Sequence, residues 1–210
     1  NDTLNRLGQP RKREELEAAY GCAVALFEQT WRAQKVFIAS EGMELILKQL
    51  GIEPAAEVVE GLVAGLEGAI LQSPPQLVEG AKETLHSLHR NGYLLGLISD
   101  TAFTPGRLMR EVMRADGLLP LFDHLTFSDE LGCTKPHPEA FLSTLRALGV
   151  EPEWAAHVGD LPETDIRGAK GVGMKAILFT AVSHRLDGAD EADAVIGSFE
   201  ELKKALVRLG

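Results

Sequence analysis

Apolar residues in the stretch "REELEAAYGCAVALFEQTWRAQ" fall at Leu16, Tyr20, Ala23, Val24, Phe27 and Trp31, the spacing of one face of a long helix. A second periodic stretch, "EGMELILKQL", follows Ser40 and stops at Gly51, so it predicts a helix with Ser40 as its cap. Pro54 opens a third, with Val59, Leu62, Val63, Leu66 and Ile70 on one face, and "QSPPQ" ends it. Residues 11–73 therefore predict a helical unit without a strand.

Beyond Pro75 the pattern changes. Short apolar runs alternate with helical stretches: "YLLGLIS", "HLTFS", "AAHVGD", "KAILFT" and "DAVIGS" are each followed by an amphipathic segment, the last being "FEELKKALVRL". Apolar runs that do not alternate with polar residues suit strands buried on both faces. Their alternation with helices predicts an α/β fold with a doubly wound parallel sheet. The strands are expected near 93–98, 124–127, 155–158, 175–179 and 194–196. In such sheets the first strand usually lies centrally, and no strand is expected before residue 75. The first strand is thus expected upstream of Asn1, with 1–10 and 74–210 forming the core and 11–73 an inserted helical domain.

Ligands of doubly wound sheets bind outside the carboxyl ends of the strands. Ser99, Asp100 and Thr101 follow the first run, Lys135 in "CTKPHPEAF" follows the second, and Asp160 and Asp165 in "VGDLPETD" follow the third. A hydroxyl, an ammonium and two carboxylates thus converge on one rim. Carboxylates suit Mg²⁺, which takes oxygen ligands, and a lysine and a hydroxyl beside a metal can hold phosphoryl oxygens. Gly159 is read as the residue that keeps the turn tight. No nucleophile stands on this rim; it would belong at the end of the upstream strand. Singly, each residue has an ordinary explanation: a strand-end hydroxyl, a solvated lysine, and acids favoured at a helix N-terminus. His137 reads as a surface residue.

The charge balance narrows the partners. Twenty-one Lys and Arg against 31 Asp and Glu leave a net charge of −10, which argues against nucleic acid and anionic membrane surfaces. No apolar run approaches the roughly 20 residues of a membrane span. Cys22 and Cys133 have no metal-type spacing and read as free thiols of a cytoplasmic protein. "GVGMKA" precedes a strand instead of opening a helix, so it is not a dinucleotide fingerprint. A monomer or homodimer is expected, the latter through the helical domain.

The constellation resembles the haloacid dehalogenase-like superfamily of hydrolases. Ser99 in "LLGLIS" matches the family's second motif, Lys135 the third, and Asp160 with Asp165 the fourth, in order across roughly residues 76–205. The "GD" form of the fourth motif looks like the phosphatase branch. The resemblance implies a Mg²⁺-dependent phosphatase of a small phosphorylated metabolite, working through an aspartyl-phosphate. It implies that Ser99 binds the phosphoryl group and Lys135 neutralises charge. Asp160 binds Mg²⁺, Asp165 binds it directly or through water, and Asp100 and Thr101 shape the phosphate loop. It also implies that residues 11–73 are an α-helical cap. The first motif, D-x-D-x-T-[LV], meets the chain at "NDTL". In one register Thr3 and Leu4 match its end and Asn1 stands at the general acid; in another, "NDT" follows the motif. In both, the nucleophilic aspartate lies upstream. A non-catalytic relative that binds phosphate or a protein partner is the alternative.

Overall fold

The computed structural model describes residues 4, 5 and 8–210, so the reading of Asn1 and Thr3 as part of a first motif lies outside the described residues. The chain divides into two units. One holds the described residues as far as Pro74 together with Thr101–Val112; the other holds Pro75–Asp100 and Met113–Gly210.

The first unit is helical: α1 (Arg13–Arg32), α2 (Ala39–Leu50), α3 (Ala56–Glu67) and the short α4 (Ala69–Gln72), with most of α6 (Gly106–Ala115). α1 begins where the Lys12 N–H donates to Glu15 Oε2 at 2.8 Å, satisfying one of the orphan donors of a helix start. Ser40 is not the cap of α2. The helix already includes Ala39, the extended Ile38 precedes it, and no side chain caps it. Its other end agrees with the pattern: Gly51 takes a left-handed conformation, φ +64°, and its N–H reaches the Leu47 carbonyl. α3 starts two residues after Pro54. Leu4, Met43, Leu47 and Ile52 form a buried cluster, joined by Leu16 and by Val59, Leu62, Val63 and Leu66 of α3.

A second cluster in this unit is aromatic. The Phe103 ring lies 5.0 Å from that of Phe37, 5.5 Å from Tyr20 and 6.2 Å from Phe27. Such tilted and edge-on pairs add to the burial of the rings themselves. Gly42 makes room for them, since a Cβ there would come within 2.9 Å of both Phe103 and Phe37.

The second unit is α/β with parallel strands. Its elements are α5 (Ala81–Arg90), β1 (Gly96–Ser99), β2 (His124–Phe127), α7 (Ser128–Leu131), α8 (Pro138–Leu148), β3 (Ala156–Gly159), α9 (Arg167–Gly171), β4 (Lys175–Phe179), α10 (Thr180–Ser183), β5 (Ala194–Ile196) and α11 (Phe199–Leu209). Among the described residues the strands make two sheets, not one: β1–β2 and β3–β4–β5. Ser99 pairs in register with Phe127, and Gly159 with Leu178, so the strand ends are level within each sheet.

β4 shows why its residues read as an unbroken apolar run. Ala176 and Leu178 face a cluster with Phe141, Leu145, Ile166 and Ala169, whereas Ile177 and Phe179 face Leu88, Ile196, Leu202 and Ala205. Helices cover both faces, as burial of a parallel sheet requires. On β1, Gly96 lets α8 approach closely: a Cβ there would lie 2.7 Å from Thr144. The Thr144 hydroxyl pairs with that of Thr126 at 2.6 Å, satisfying two polar groups inside the core. β1 is shorter than its apolar run because Tyr93 and Leu94 are exposed and the Leu95 N–H donates to the Asp123 carboxylate. α5 begins only at Ala81, because Gly80 at φ +74° turns the chain before it.

Candidate functional site

Lys135 lies in the loop between α7 and α8, and its side chain links the two sheets. The ammonium donates to Asp165 Oδ1 at 2.7 Å and sits 3.4 Å from the Ile98 carbonyl of β1. Its own N–H donates to Asp100 Oδ1 at 2.9 Å, so Asp100 holds the backbone from which the lysine extends. Ser99 is the last residue of β1 and is half-buried next to this group in the chain. Lys135 and Asp165 have side-chain exposures of only 14% and 4%, so this ion pair is largely withdrawn from solvent.

Asp160 directly follows β3. The chain then forms a wide π-type turn, Pro162–Ile166, before α9. That turn brings Asp165 back over the strand. Asp165 Oδ2 accepts from the Leu161 N–H at 3.0 Å, while Oδ1 accepts from Lys135 and contacts His157 Nε2 at 3.2 Å. Gly159 is required for a reason other than the tight turn expected of it: a Cβ at this position would overlap the Asp165 carboxyl group. His157 and Gly159 alternate onto the same face of β3, and Asp165 lies over both.

His157 is the site residue that the sequence reading missed. It is largely buried, its ring meets Phe141 edge-on at 5.1 Å, and it reaches Asp165. Burial pushes its pKa down, against the opposing hydrogen bond and charge of Asp165. The sequence signal was present: a lone histidine two residues before Gly159, inside an otherwise apolar strand, needs a buried partner. Burial acts to raise the Asp165 pKa, but the hydrogen bond from His157 and the Lys135 charge outweigh it and hold the acid well below the ordinary carboxylate range. Asp160 shifts the other way, upward, through burial and then the charge of Asp165.

Ser99, Asp100, Lys135, Asp160 and Asp165 thus belong to one unit, and Asp100, Lys135 and Asp165 are joined by direct hydrogen bonds. Thr101, the next residue in the chain, is buried and belongs to the helical unit. His137 is exposed and caps α8, its Nδ1 accepting from the Glu139 N–H at 3.2 Å. Cys133, just before this loop, is half-buried; burial and then the nearby charges of Glu139 and Asp100 push its thiol pKa up, so it is a poor nucleophile.

The side chains fit a hard cation in kind. Asp160 and Asp165 offer oxygen alone, and their mutual repulsion is what a bound cation relieves. The hydroxyls of Thr134 and Thr164, immediately before Lys135 and Asp165, are buried without a hydrogen-bond partner among the described residues. No group of three His, Cys, Asp or Glu residues that could hold a metal ion is assembled among the described residues. Among the described residues no helix is long and apolar enough to cross a membrane.

Known proteins resemble this chain in sequence and fold. The chain is 38% identical over 134 residues to the glyceraldehyde 3-phosphate phosphatase of Pyrococcus furiosus, a match covering 62% of this chain and 55% of that protein. The chain spans about half the length of the curated relatives it matches. A crystal structure of a phosphatase of the same superfamily from Thermococcus onnurineus superposes with a TM-score of 0.58 at 31% identity, over 78% of this chain and 69% of that one. A 2-haloacid dehalogenase from Pseudomonas syringae shares the fold, with a TM-score of 0.68 at 24% identity over 100% of this chain and 88% of that one. The family model of haloacid dehalogenase-like hydrolases matches residues 7–173, which include Ser99, Lys135, Asp160 and Asp165; the chain belongs to that family.

Proposed function

We propose that the protein is a Mg²⁺-dependent phosphatase of a small phosphorylated metabolite. The observation that carries this reading is the Lys135 ammonium, fixed between Asp165 and the Ile98 carbonyl at the carboxyl ends of β1 and β3. A buried, positioned cation at a strand-end rim suits a dianionic phosphoryl group. The similarity to glyceraldehyde 3-phosphate phosphatases supports phosphate monoesters of three-carbon metabolites as the first substrates to test.

In this reading Ser99 donates its hydroxyl to a phosphoryl oxygen, and Lys135 neutralises charge as it gathers on the transferred group. Asp160 and Asp165 would hold the Mg²⁺; both oxygens of Asp165 are already engaged by Lys135, His157 and the Leu161 N–H, which leaves Asp160 as the direct ligand among the two. Bound Mg²⁺ supplies charge neutralisation for an in-line attack. The chemistry of this reading is attack by an aspartate on the phosphoryl group, with release of the alcohol and hydrolysis of the aspartyl-phosphate by water; none of the described site residues is assigned as that aspartate. The helical unit serves as the cap that selects the substrate.

The second reading is a relative that binds phosphate without turning it over, as a site lacking the acidic nucleophile would. Asn1 bears on rate alone: in one register it occupies the general-acid position, where an amide cannot protonate a leaving group, so turnover would be slow or use another acid. Hydrolysis of an aryl phosphate by the full-length protein, with and without EDTA, separates the two. EDTA-sensitive release of phosphate is expected. Metal-independent release overturns the mechanism, and no turnover of any phosphate ester favours the binder.

A further inference from the structure

The segment between β4 and β5 carries no residue of the site, yet three of its residues grip the loop that does. Ser183 Oγ donates to the main-chain carbonyl of Asp160 at 2.9 Å. Arg185 donates through one nitrogen to Glu163 at 2.8 Å, and through two others to both oxygens of Asp187 at 3.0 and 2.6 Å. Gly188 lies against Pro162 so closely that a Cβ there would come within 2.5 Å of the proline ring. The grip therefore falls on residues 160, 162 and 163, the stretch that sets the direction of the Asp160 side chain.

The local fold explains how the segment reaches that stretch. α10 ends at Ser183, and His184 adopts a left-handed conformation, φ +56°, that redirects the chain. Asp160 is the first residue past β3, so its carbonyl has left the strand ladder and takes the serine hydroxyl instead. Exposed ion pairs contribute little to stability. The planar guanidinium is different in kind: it fixes two carboxylates in one orientation, which an ammonium cannot do. The large side chains of β4, Ile177, Leu178 and Phe179, are buried in the core without help from these contacts. The segment thus has more to offer as a positioning device than as a stabiliser.

We infer that Ser183, Arg185 and Gly188 form a strap that positions Asp160 for cation binding. The inference rests on the reading of Asp160 as the Mg²⁺ ligand, and it makes Ser183 and Arg185 positioning residues. Its test is calorimetric titration of the full-length protein with Mg²⁺ alone, accompanied by thermal melts. Ser183→Ala and Arg185→Lys are expected to weaken Mg²⁺ binding by about five- to tenfold, the worth of roughly one net hydrogen bond, with little change in melting temperature. Ser183→Thr keeps the hydroxyl and restores affinity. Glu191→Gln breaks the outer tie to Arg167, which is 2.7 Å long and touches none of the gripped residues, and leaves affinity unchanged.

Wild-type affinity in both Ser183→Ala and Arg185→Lys overturns the strap, as does an equal loss in Glu191→Gln. Asp160→Asn separates the two levels of the argument. If it leaves Mg²⁺ binding intact, the metal assignment fails, and hydrogen exchange of the Leu161 and Asp165 amides then decides the strap alone. Faster exchange in Ser183→Ala supports it; unchanged exchange overturns it.

Discussion

Lys135 and Asp165 meet at 2.7 Å inside the protein, and the carboxylate is shared with His157. The pair therefore orients the lysine and cannot be trimmed on one side without leaving a charge buried and alone. Asp165→Asn is expected to cost about 3 kcal/mol of stability, the usual penalty for breaking a withdrawn ion pair from one side. Urea denaturation measures it. A cost below about 1 kcal/mol, the range of surface pairs, would contradict the burial described for this site.

Gly159→Ala places a methyl group where the Asp165 carboxyl lies. Overpacking of this kind costs about 1–3 kcal/mol, and the group displaced is the partner of Lys135. On the proposed reading, in which Lys135 meets the transferred phosphoryl group, phosphatase kcat is expected to fall at least about tenfold in the variant. Unchanged kcat with lowered stability would show that the lysine does not depend on Asp165 for its orientation.

Two glycines of the helical unit should respond with opposite signs. Gly61 in α3 is exposed, with nothing within 4 Å of an added Cβ, so Gly61→Ala should gain about 0.5–1 kcal/mol from helix propensity. Gly42 in α2 has Phe37 and Phe103 at 2.9 Å from the same point, so Gly42→Ala should lose about 1 kcal/mol, overpacking exceeding propensity. Thermal melts of the two variants, run together, check the difference. Gains in both would show that the aromatic cluster yields to an added methyl.

Asp193 gives a pH prediction. Burial pushes its carboxyl pKa up, but the Lys170 ammonium and the Ala176 N–H, each at 2.8 Å, outweigh burial and hold it below the ordinary range. A carboxyl with a depressed folded pKa stabilises the fold above its unfolded value, near pH 4. That contribution is lost as pH falls through the lower, folded value. Asp193→Asn should cost about 1 kcal/mol at pH 7 and flatten the acid limb of the stability curve. Urea melts at pH 7 and pH 3 test both; an acid limb as steep as in the wild type would assign it elsewhere.

The elements most legible in the sequence were those with one dominant cause. β4 read as a strand because both of its faces are covered, and α1 because apolar residues recur along it at helical spacing, although Tyr20 on that face is exposed. The rim that gathers Lys135 and the two acids was legible because each follows a strand end. His157 was not, since its role depends on a carboxylate that a π-type turn carries back eight positions later. Arg185 was hidden in "VSHRLDGADEAD", where alternating charges look like solvated loop. The meaning of Gly159 was half legible: a small residue was clearly needed, but by the packing of Asp165 and not by the turn. Ser40 misled because a hydroxyl before a periodic stretch is a good cap only when the chain is still extended there, and at Ser40 it is already helical.

Phe103 follows β1 in the chain, yet its ring completes an aromatic cluster built by Tyr20, Phe27 and Phe37. During synthesis the first helices leave the ribosome long before Phe103 does. They must wait with part of their apolar surface uncovered until some thirty further residues beyond Pro74 have emerged. A fragment ending near Pro74 would carry that exposed surface permanently and would associate with itself or with chaperones. The helical unit, although it looks contiguous in the sequence, is not transplantable as a single piece of chain.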